Sequence, residues 1–304
     1  MPVEVSKWTA DDLRIANRAT SVNRADLLQA AGRYPPPPGA SDILGLECAG
    51  VVTEVGANVR GWAVGDRAMA LLAGGGYAQE VIVHAGSAMH VPDTLTDEEA
   101  AALPEVFLTA FLNLFLLAQI REGESALIHG GGSGVGTAAT TLCKLAGVRV
   151  LVTAGSPEKC ARCLEHGADV CIDYRNEDFV EQARNVNVIL DHIGARYLSR
   201  DLEAIAVGGR IVIIGSMGGQ RTAEIDVAQL LMKRVQVVGS TLRARPVEEK
   251  ATIVKAFLDR FGTDLDAGRI RPVIHTVMPL AQWKEAHRLM ESSNHFGKIV
   301  LRVG

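Results

Sequence analysis

Two patterns of apolar and polar residues divide the chain. Up to about Pro104, short apolar runs such as "AGVVTEV" and "YAQEVIVH" alternate with Gly- and Pro-rich breaks, which is typical of a compact β domain. From Ser125 the apolar runs alternate with helical segments, as in "SALIHG", "VRVLVTAG" and "GRIVIIGS". Near-continuous apolar strands separated by helices predict an α/β domain with a parallel sheet covered on both faces.

Where these patterns meet, helical character begins with "TDEEAAALPEVFLTAF". Thr96 and Glu99 have the spacing of a capping box, and Pro104 is expected to break this segment into two helices. The cluster "GGGSGVG" then follows the first strand of the predicted parallel sheet. The strict Gly-x-Gly-x-x-Gly pattern is absent, although Gly134, Gly136 and Ala139 fit the version that ends in Ala.

A glycine-rich turn between a strand and a helix brings backbone N–H groups against a pyrophosphate. The alternative is a flexible loop with tight packing between strand and helix, but the position of the cluster favours nucleotide binding. The residues that we expect to contact the nucleotide here are Ser133, Gly134 and Val135.

The second strand of this sheet indicates which nucleotide binds. A site for NAD usually has a carboxylate at the end of that strand, and here the strand ends "VLVTAGSPEK" with no acidic residue before Glu158. Ser156 and Lys159 can receive a 2′-phosphate through a hydroxyl and a charge, and Tyr174 follows the third strand. Lys159 alone would be taken as a solvated helix residue, but together these residues favour NADPH.

Composition excludes several classes of function. The net charge of −4 gives no electrostatic reason for nucleic acid or an anionic membrane to be a main partner. No apolar run approaches the thickness of a bilayer, and "MPVEVSKWTADD" lacks the features of a signal peptide. Five cysteines are an odd count that fits a reducing compartment, so we expect a cytoplasmic protein.

Several blocks of the chain resemble the medium-chain dehydrogenase/reductases, and most of all their zeta-crystallin-like NADPH:quinone oxidoreductases. The resemblance runs from about Leu13 to the end of the chain. The blocks are "SVNRADLLQAAGRYPPPPG", "GLECAGVVTEVG", "LPEVFLTAF", "HGGGSGVGTAA", "GSTLRAR" and "HFGKIVL".

The resemblance implies a GroES-like β domain of residues 1–108 and 246–304 and a doubly wound Rossmann domain of residues 109–245. It also implies reduction of a quinone by NADPH. An enone or 2-alkenal reductase on the same scaffold is an alternative, as is an NADPH-binding structural or RNA-binding protein of the zeta-crystallin kind. The acidic net charge argues weakly against RNA binding, and the pyrophosphate loop and 2′-phosphate residues argue against a purely structural role.

Further site residues come from the same resemblance. Asn23, Tyr34 and Thr109 would surround the nicotinamide, and the Tyr34 hydroxyl could bind the acceptor oxygen or simply pack beside the prolines that follow it. Gly215, Ser216 and Met217 would pass under the nicotinamide. Arg243 and Lys298 would contact the cofactor, unless both are surface charges.

Departures from the zinc alcohol dehydrogenases of this superfamily predict an enzyme without metal. Leu46 and Asn23 stand where those enzymes have two zinc ligands, and no closely spaced set of cysteines suggests a structural zinc site. A second departure is the absence of the β hairpin with which the family opens. The segment near Asn185 is also shorter than the helix, loop and strand that the family has at this place. Finally, the sixth Rossmann strand, "VQVVGSTL", is expected at the sheet edge, where an apolar strand invites pairing into a homodimer.

Overall fold

A computed structural model describes residues 8–304 of the chain. Two compact units account for it, one formed by Met1–Leu108 with Leu242–Gly304 and the other by Thr109–Thr241. The sequence prediction placed the second boundary after residue 245. We refer to these units as the barrel unit and the nucleotide unit.

The barrel unit is built on a seven-stranded sheet in the order β12-β13-β1-β2-β3-β5, with β4 paired to β1. Its strands are β1 (Asp12–Val22), β2 (Glu47–Val55), β3 (Arg67–Leu71), β4 (Glu80–His84), β5 (Ala88–His90), β12 (Ile274–Pro279) and β13 (Lys298–Arg302). Its helices are α1 (Arg24–Ala30), α2 (Asp97–Ala100), α9 (Val247–Asp266) and α10 (Trp283–Ser292). Alternate residues of β1, among them Leu13 and Ile15, enter a core with Cys48 and Val52.

The predicted capping box and the break at Pro104 are both confirmed. The Thr96 hydroxyl accepts from the Glu99 N–H, and the Glu99 carboxylate accepts from the Thr96 N–H. The next helix, α3 (Pro104–Phe111), begins at the proline, whose missing N–H is not needed in a first turn. A π-helical segment, Leu112–Leu117, follows it.

The nucleotide unit contains the predicted parallel sheet, with strand order β11-β10-β9-β6-β7-β8. Its strands are β6 (Ser125–Ile128), β7 (Arg149–Ala154), β8 (Val170–Asp173), β9 (Val186–Asp191), β10 (Ile205–Ile213) and β11 (Gln236–Gly239). Its helices are α4 (Gly134–Leu145), α5 (Pro157–Glu165), α6 (Phe179–Gln182), α7 (Leu198–Ala204) and α8 (Val227–Lys233). This is the doubly wound order, in which ligands bind at the carboxyl ends of the strands. The sixth strand of the unit, β11, lies at the sheet edge as predicted.

Candidate functional site

Glycine is required at several places in the loop between β6 and α4. Gly130 has a φ of +68°, which side chains rarely adopt. A Cβ atom on Gly131 would lie 2.5 Å from the Val152 Cβ, and one on Gly136 would lie 2.3 Å from the Gly130 carbonyl oxygen. The missing side chains therefore let the first turn of α4 pack directly against its own loop and against β7.

This loop leads into an exposed helix N-terminus. Ser133 caps α4, because its hydroxyl accepts from the Gly136 N–H at 3.0 Å. Ser133, Gly134 and Val135 are all partly exposed. The first N–H groups of a helix have no partner inside it, and together with the helix dipole they attract an anion. The three predicted contact residues thus lie where a pyrophosphate would be bound.

The predicted 2′-phosphate residues meet at the end of β7. Ser156 caps α5 by accepting from the Lys159 N–H at 3.3 Å. Tyr174 follows β8, is 44% exposed, and holds its hydroxyl over Gly155, where a Cβ would lie 2.5 Å from that oxygen. The side chains of Ser156 and Tyr174 therefore flank the same glycine, one turn of α5 away from Lys159.

Sequence reasoning missed a second cation at this edge. Burial lowers the pKa of Lys159, and repulsion from the guanidinium groups of Arg175 and Arg162 acts in the same direction. Arg175 is exposed and directly follows Tyr174. A basic residue at the end of the third strand was the signal that could have identified it, because strand ends of a parallel sheet share one edge.

The residues after β10 approach the glycine loop through His192. The Met217 N–H donates to the His192 carbonyl at 2.9 Å, and a Cβ on Gly130 would lie 2.3 Å from the His192 Cε1. Gly215 and Ser216 precede Met217, which is 49% exposed. His192 was not predicted, although its position directly after β9 marks it as a residue of the ligand-binding edge.

Beneath this edge lies a buried polar network. The His129 Nε2 is 2.9 Å from an Asp201 oxygen, and its Nδ1 is 3.2 Å from the Thr153 hydroxyl. Asp191 accepts from the N–H groups of Ile193 and Gly194. One atom each of His129, Asp191 and Asp201 lies within 4.8 Å of the others. The network ties the ends of β6, β7 and β9 together.

Thr109 is partly exposed on α3. Its carbonyl accepts from the Asn113 side chain at 2.7 Å. Its predicted place near the nicotinamide stays a prediction.

In the barrel unit, Asn23 belongs to a buried charged cluster that we call the Glu47 cluster, formed by Asn23, Glu47 and Lys298. The Lys298 ammonium donates to the Asn23 Oδ1 at 2.7 Å and to the Glu47 Oε1 at 2.9 Å. The Asn23 amide also donates to Glu47, at 2.9 Å. Lys298 is 2% exposed and Glu47 is fully buried, so the alternative that Lys298 is a surface charge is wrong.

The Glu47 cluster does not fit a zinc ion. Leu46 offers no ligand atom, and the amide of Asn23 is engaged by Glu47 and Lys298. A cation, the Lys298 ammonium, already neutralises the carboxylate that could otherwise bind a metal. No step of a reaction through zinc can therefore be derived for these residues.

Arg243 holds the segment that carries Tyr34. Its guanidinium donates to the Tyr34 carbonyl at 3.4 Å, to the Ala73 carbonyl at 2.8 Å and to the Gln29 side chain at 2.6 Å. Its guanidinium carbon also lies 5.2 Å from the centre of the Tyr34 ring. Arg243 is 3% exposed and is therefore not a surface charge either. Direct contact of Arg243 and Lys298 with a cofactor stays a prediction.

Two further carboxyl groups near this cluster escaped sequence reasoning. The Glu105 N–H donates to the Glu47 Oε2 at 2.9 Å, while the buried Oε2 of Glu105 itself has no hydrogen-bond partner within residues 8–304. Burial raises the pKa of Glu105 to about 8, and the charge of Glu47 adds to this. Burial likewise raises the pKa of Asp26 to about 6. Glu105 lies inside the block "LPEVFLTAF", which had been considered only as part of the family resemblance.

Two family models match the chain. The alcohol dehydrogenase GroES-like domain matches residues 9–93, and the zinc-binding dehydrogenase model matches residues 166–301. Among the described helices, none combines the length and apolar character needed to cross a membrane.

The curated relatives are of two kinds, polyketide-type synthases and quinone oxidoreductases. Lovastatin diketide synthase lovF of Aspergillus terreus is 31% identical over 318 residues, which cover 99% of this chain and 13% of that protein. The chain thus spans about an eighth of that relative. Quinone oxidoreductase of Rattus norvegicus is 29% identical over 291 residues, covering 93% of this chain and 86% of that protein.

The similar solved structures include a quinone oxidoreductase and an enoyl reductase. The Escherichia coli quinone oxidoreductase in complex with NADPH has a TM-score of 0.83 and 26% identity, and the match covers 99% of this chain and 95% of that one. The CurK enoyl reductase has a TM-score of 0.84 and 27% identity, with coverage of 100% and 94%. Together with the GroES-like domain and the parallel sheet of doubly wound order, these matches identify the chain as a member of the medium-chain dehydrogenase/reductase superfamily.

Proposed function

We propose that the chain is a zinc-free oxidoreductase that reduces quinones with NADPH. The observation that carries this proposal is the edge at the end of β7, where a carboxylate is missing and Ser156, Lys159, Tyr174 and Arg175 stand instead. The similarity to quinone oxidoreductases that match over most of their length supports the substrate class.

NADPH fits the residues of the nucleotide unit. The glycine-rich loop between β6 and α4, which we call the glycine cradle, would hold the pyrophosphate together with the N-terminus of α4. Lys159 and Arg175 would hold the 2′-phosphate. When bound, the nicotinamide supplies a hydride. Gly215 to Met217 would support its ring.

The chain's own groups then need only orient an acceptor that is already electrophilic and exclude water from it. Tyr34 would donate a hydrogen bond from its hydroxyl to a carbonyl oxygen of the acceptor. Burial raises the pKa of this hydroxyl, so it keeps its proton at neutral pH. Asn23 and Thr109 would complete the nicotinamide end of the site, and Arg243 would fix the segment of Tyr34.

The second candidate is reduction of a conjugated enone, 2-alkenal or enoyl group. The similarity to an enoyl reductase of known structure favours it. Both reactions begin with the same hydride donor, and the shape of the acceptor pocket decides between them.

The test is oxidation of NADPH by the purified chain with a panel of ortho-quinones, para-quinones, 2-alkenals and an enoyl thioester. Turnover of quinones with at least tenfold higher kcat/KM than the other acceptors supports the proposal, and the reverse preference supports the second candidate. Tight binding of NADPH without turnover of any acceptor would contradict both and favour a binding protein.

We also propose a homodimer formed through β11. The residues of this edge strand are mostly exposed, with Val237 at 38%, and the preceding helix exposes Leu231 and Met232 by 69% and 77%. An open strand edge beside exposed apolar side chains favours pairing with a second copy. Sedimentation should give a dimer at micromolar concentration and a monomer for Val237→Lys; a monomeric unmodified chain would contradict the proposal.

We further propose a cytoplasmic location, supported by the odd number of cysteines. Metal analysis of the untagged protein should find no stoichiometric zinc, and chelators should leave its activity unchanged. Loss of activity on chelation would overturn the zinc-free assignment.

A further inference from the structure

Three of the five cysteines meet beside the edge that carries Ser156, Lys159 and Tyr174. Cys160 and Cys163 lie on α5, and Cys171 lies on β8. The Cys171 thiol donates to the Cys160 sulfur at 2.7 Å. All three are free thiols, and Cys160 and Cys171 are partly exposed while Cys163 is only 2% exposed.

The two sulfur atoms lie 2.7 Å apart, close to the S–S bond length of about 2.0 Å in a disulfide. The two cysteines are separated by 11 positions, so the bond would close a short loop from α5 to β8. Partial exposure of both gives a small oxidant access to them. The buried Cys163 lacks that access.

We propose that Cys160 and Cys171 form a site of reversible oxidation, which hydrogen peroxide closes into a disulfide between α5 and β8. The sulfur of one thiolate attacks the peroxide, an S–O bond forms, the O–O bond breaks, and the released hydroxide takes up a proton to give water. The second sulfur attacks the sulfenic sulfur, the S–S bond forms and the S–O bond breaks, releasing another water. Two thiols thus lose two electrons and two protons, and one peroxide becomes two waters.

Such chemistry starts from a thiolate. Burial raises the pKa of the Cys160 thiol, and the hydrogen bond from Cys171 opposes this rise because it stabilises a Cys160 thiolate once formed. We therefore expect oxidation of the pair to be faster at alkaline pH. Hydrogen bonding from Cys171 lowers the pKa of the neighbouring Cys163, as do the nearby Lys159 and Arg162.

The disulfide would also affect the cofactor edge, an extension that rests on the proposed function. Lys159 directly precedes Cys160 and interacts electrostatically with Cys163. When Cys171 enters the disulfide, Cys163 loses the thiol donor that favours its anion. The Lys159 ammonium then loses a competing negative charge, so we expect NADPH to bind severalfold more tightly after oxidation, with NADH unchanged.

The test treats the reduced full chain with hydrogen peroxide, blocks remaining thiols by alkylation and maps the digest by mass spectrometry. We expect one linked peptide pair, Cys160 with Cys171, lighter by two hydrogen atoms and restored by dithiothreitol. Cys163→Ser should keep this link, whereas Cys160→Ser and Cys171→Ser should lose it. Absence of the link in the unmodified chain, or a dominant Cys163–Cys171 link, would overturn the proposal without reliance on any variant.

Titration of NADPH into reduced and oxidised protein tests the extension separately. Tighter binding that is absent in Cys160→Ser supports it, and equal or weaker binding contradicts the coupling but not the disulfide. A reduced chain that binds no NADPH at all would contradict the proposed function, while the peptide map would still decide the site of oxidation.

Discussion

Lys159 and Arg175 in the nucleotide unit and Lys298 in the barrel unit are cations in opposite surroundings. In the nucleotide unit, Arg175 is exposed and Lys159 is partly exposed, at a strand end without a carboxylate and beside the N-terminus of α5. In the barrel unit, Lys298 is 2% exposed and shares hydrogen bonds with Glu47 and Asn23. Cations gathered at an open edge repel one another until an anion arrives, which suits a binding site. A cation buried with its own carboxylate is satisfied within the fold.

The largest effect on stability is expected when the buried cation is removed. Lys298→Met leaves the Glu47 carboxylate buried and without its counter-ion, which typically costs about 3–5 kcal/mol. Urea unfolding should show this loss in the free energy of unfolding. The double variant Glu47→Gln with Lys298→Met removes both charges and should recover much of it.

A loss below about 1 kcal/mol for Lys298→Met would mean that the cluster contributes little to the fold. The double variant also separates two roles of Lys298, support of the fold and contact with the cofactor. If NADPH affinity falls in the double variant, where the fold is largely restored, then Lys298 contacts the cofactor as the family resemblance implies.

The exposed cation is tested by Lys159→Ala. A hydrogen bond to a charged group is worth roughly 1.5–3 kcal/mol, so NADPH should bind roughly ten- to a hundred-fold more weakly. NADH, which lacks the 2′-phosphate, should bind almost as before, and Arg175→Ala should act in the same direction. Fluorescence titration of both cofactors measures this.

Lys255→Ala is the matched control, since this lysine is exposed on α9 and pairs only with the neighbouring Asp259 in the described residues. Equal losses for NADPH and NADH would mean that Lys159 supports the loop rather than the phosphate. A preference of the unmodified chain for NADH would contradict the assignment of the whole edge.

A substitution in the glycine cradle should weaken NADPH and NADH alike, unlike a substitution of Lys159 or Arg175. The cradle would hold the pyrophosphate, which both cofactors contain. Gly136→Ala brings a Cβ to 2.3 Å from the Gly130 carbonyl oxygen, and overpacking of this kind costs about 1–3 kcal/mol. We expect NADPH and NADH to lose about tenfold in affinity together. Gly262→Ala, where the nearest atom lies 4.0 Å away, should change neither. A loss of affinity for NADPH alone would contradict the assignment of the cradle to the pyrophosphate.

The smallest effect is expected from Glu105→Gln. The native pKa of Glu105, about 8, lies above its ordinary value of 4.5, so the folded chain binds an extra proton between these values. Stability should therefore fall as pH rises from about 4.5 to about 8, and Glu105→Gln, whose amide does not titrate, should flatten this part of the profile. Thermal unfolding at pH 5 and pH 9 measures the difference; parallel pH profiles for the two proteins would count against a protonated Glu105.

Much of the nucleotide unit follows from local sequence. Apolar runs of strand length, helices between them and a glycine cluster after the first strand determine the sheet, and the residues after each strand must share its carboxyl edge. Ser156 and Tyr174 were found in this way. His192 and Arg175 obey the same rule and were missed, because the end of β9 was not searched and at the end of β8 only Tyr174 was considered.

The Glu47 cluster could not be predicted from local sequence. The residues Glu47 and Lys298 are 251 positions apart, and nothing in their neighbours shows that β2 and β13 bring them together. A lysine and a glutamate in a sequence are almost always solvated, so burial is the less expected outcome. The thiol pair of Cys160 and Cys171 was hidden for a similar reason, since α5 and β8 approach each other only in the folded sheet.

The register of β1 has a consequence for how the chain is made. Thr20 pairs with Leu301 and Val22 with Ile299, so the C-terminal end of β1 is made before the nucleotide unit but finds its β13 partner only after that unit has been made. The nucleotide unit, whose strands are contiguous in sequence, can complete its sheet earlier. During synthesis, residues 19–22 of β1 therefore lack their β13 partner while that unit folds, whereas residues 12–16 can already pair with β4. The unpaired part is exposed to pairing with other chains. We expect chains truncated before β13 to aggregate through the barrel unit.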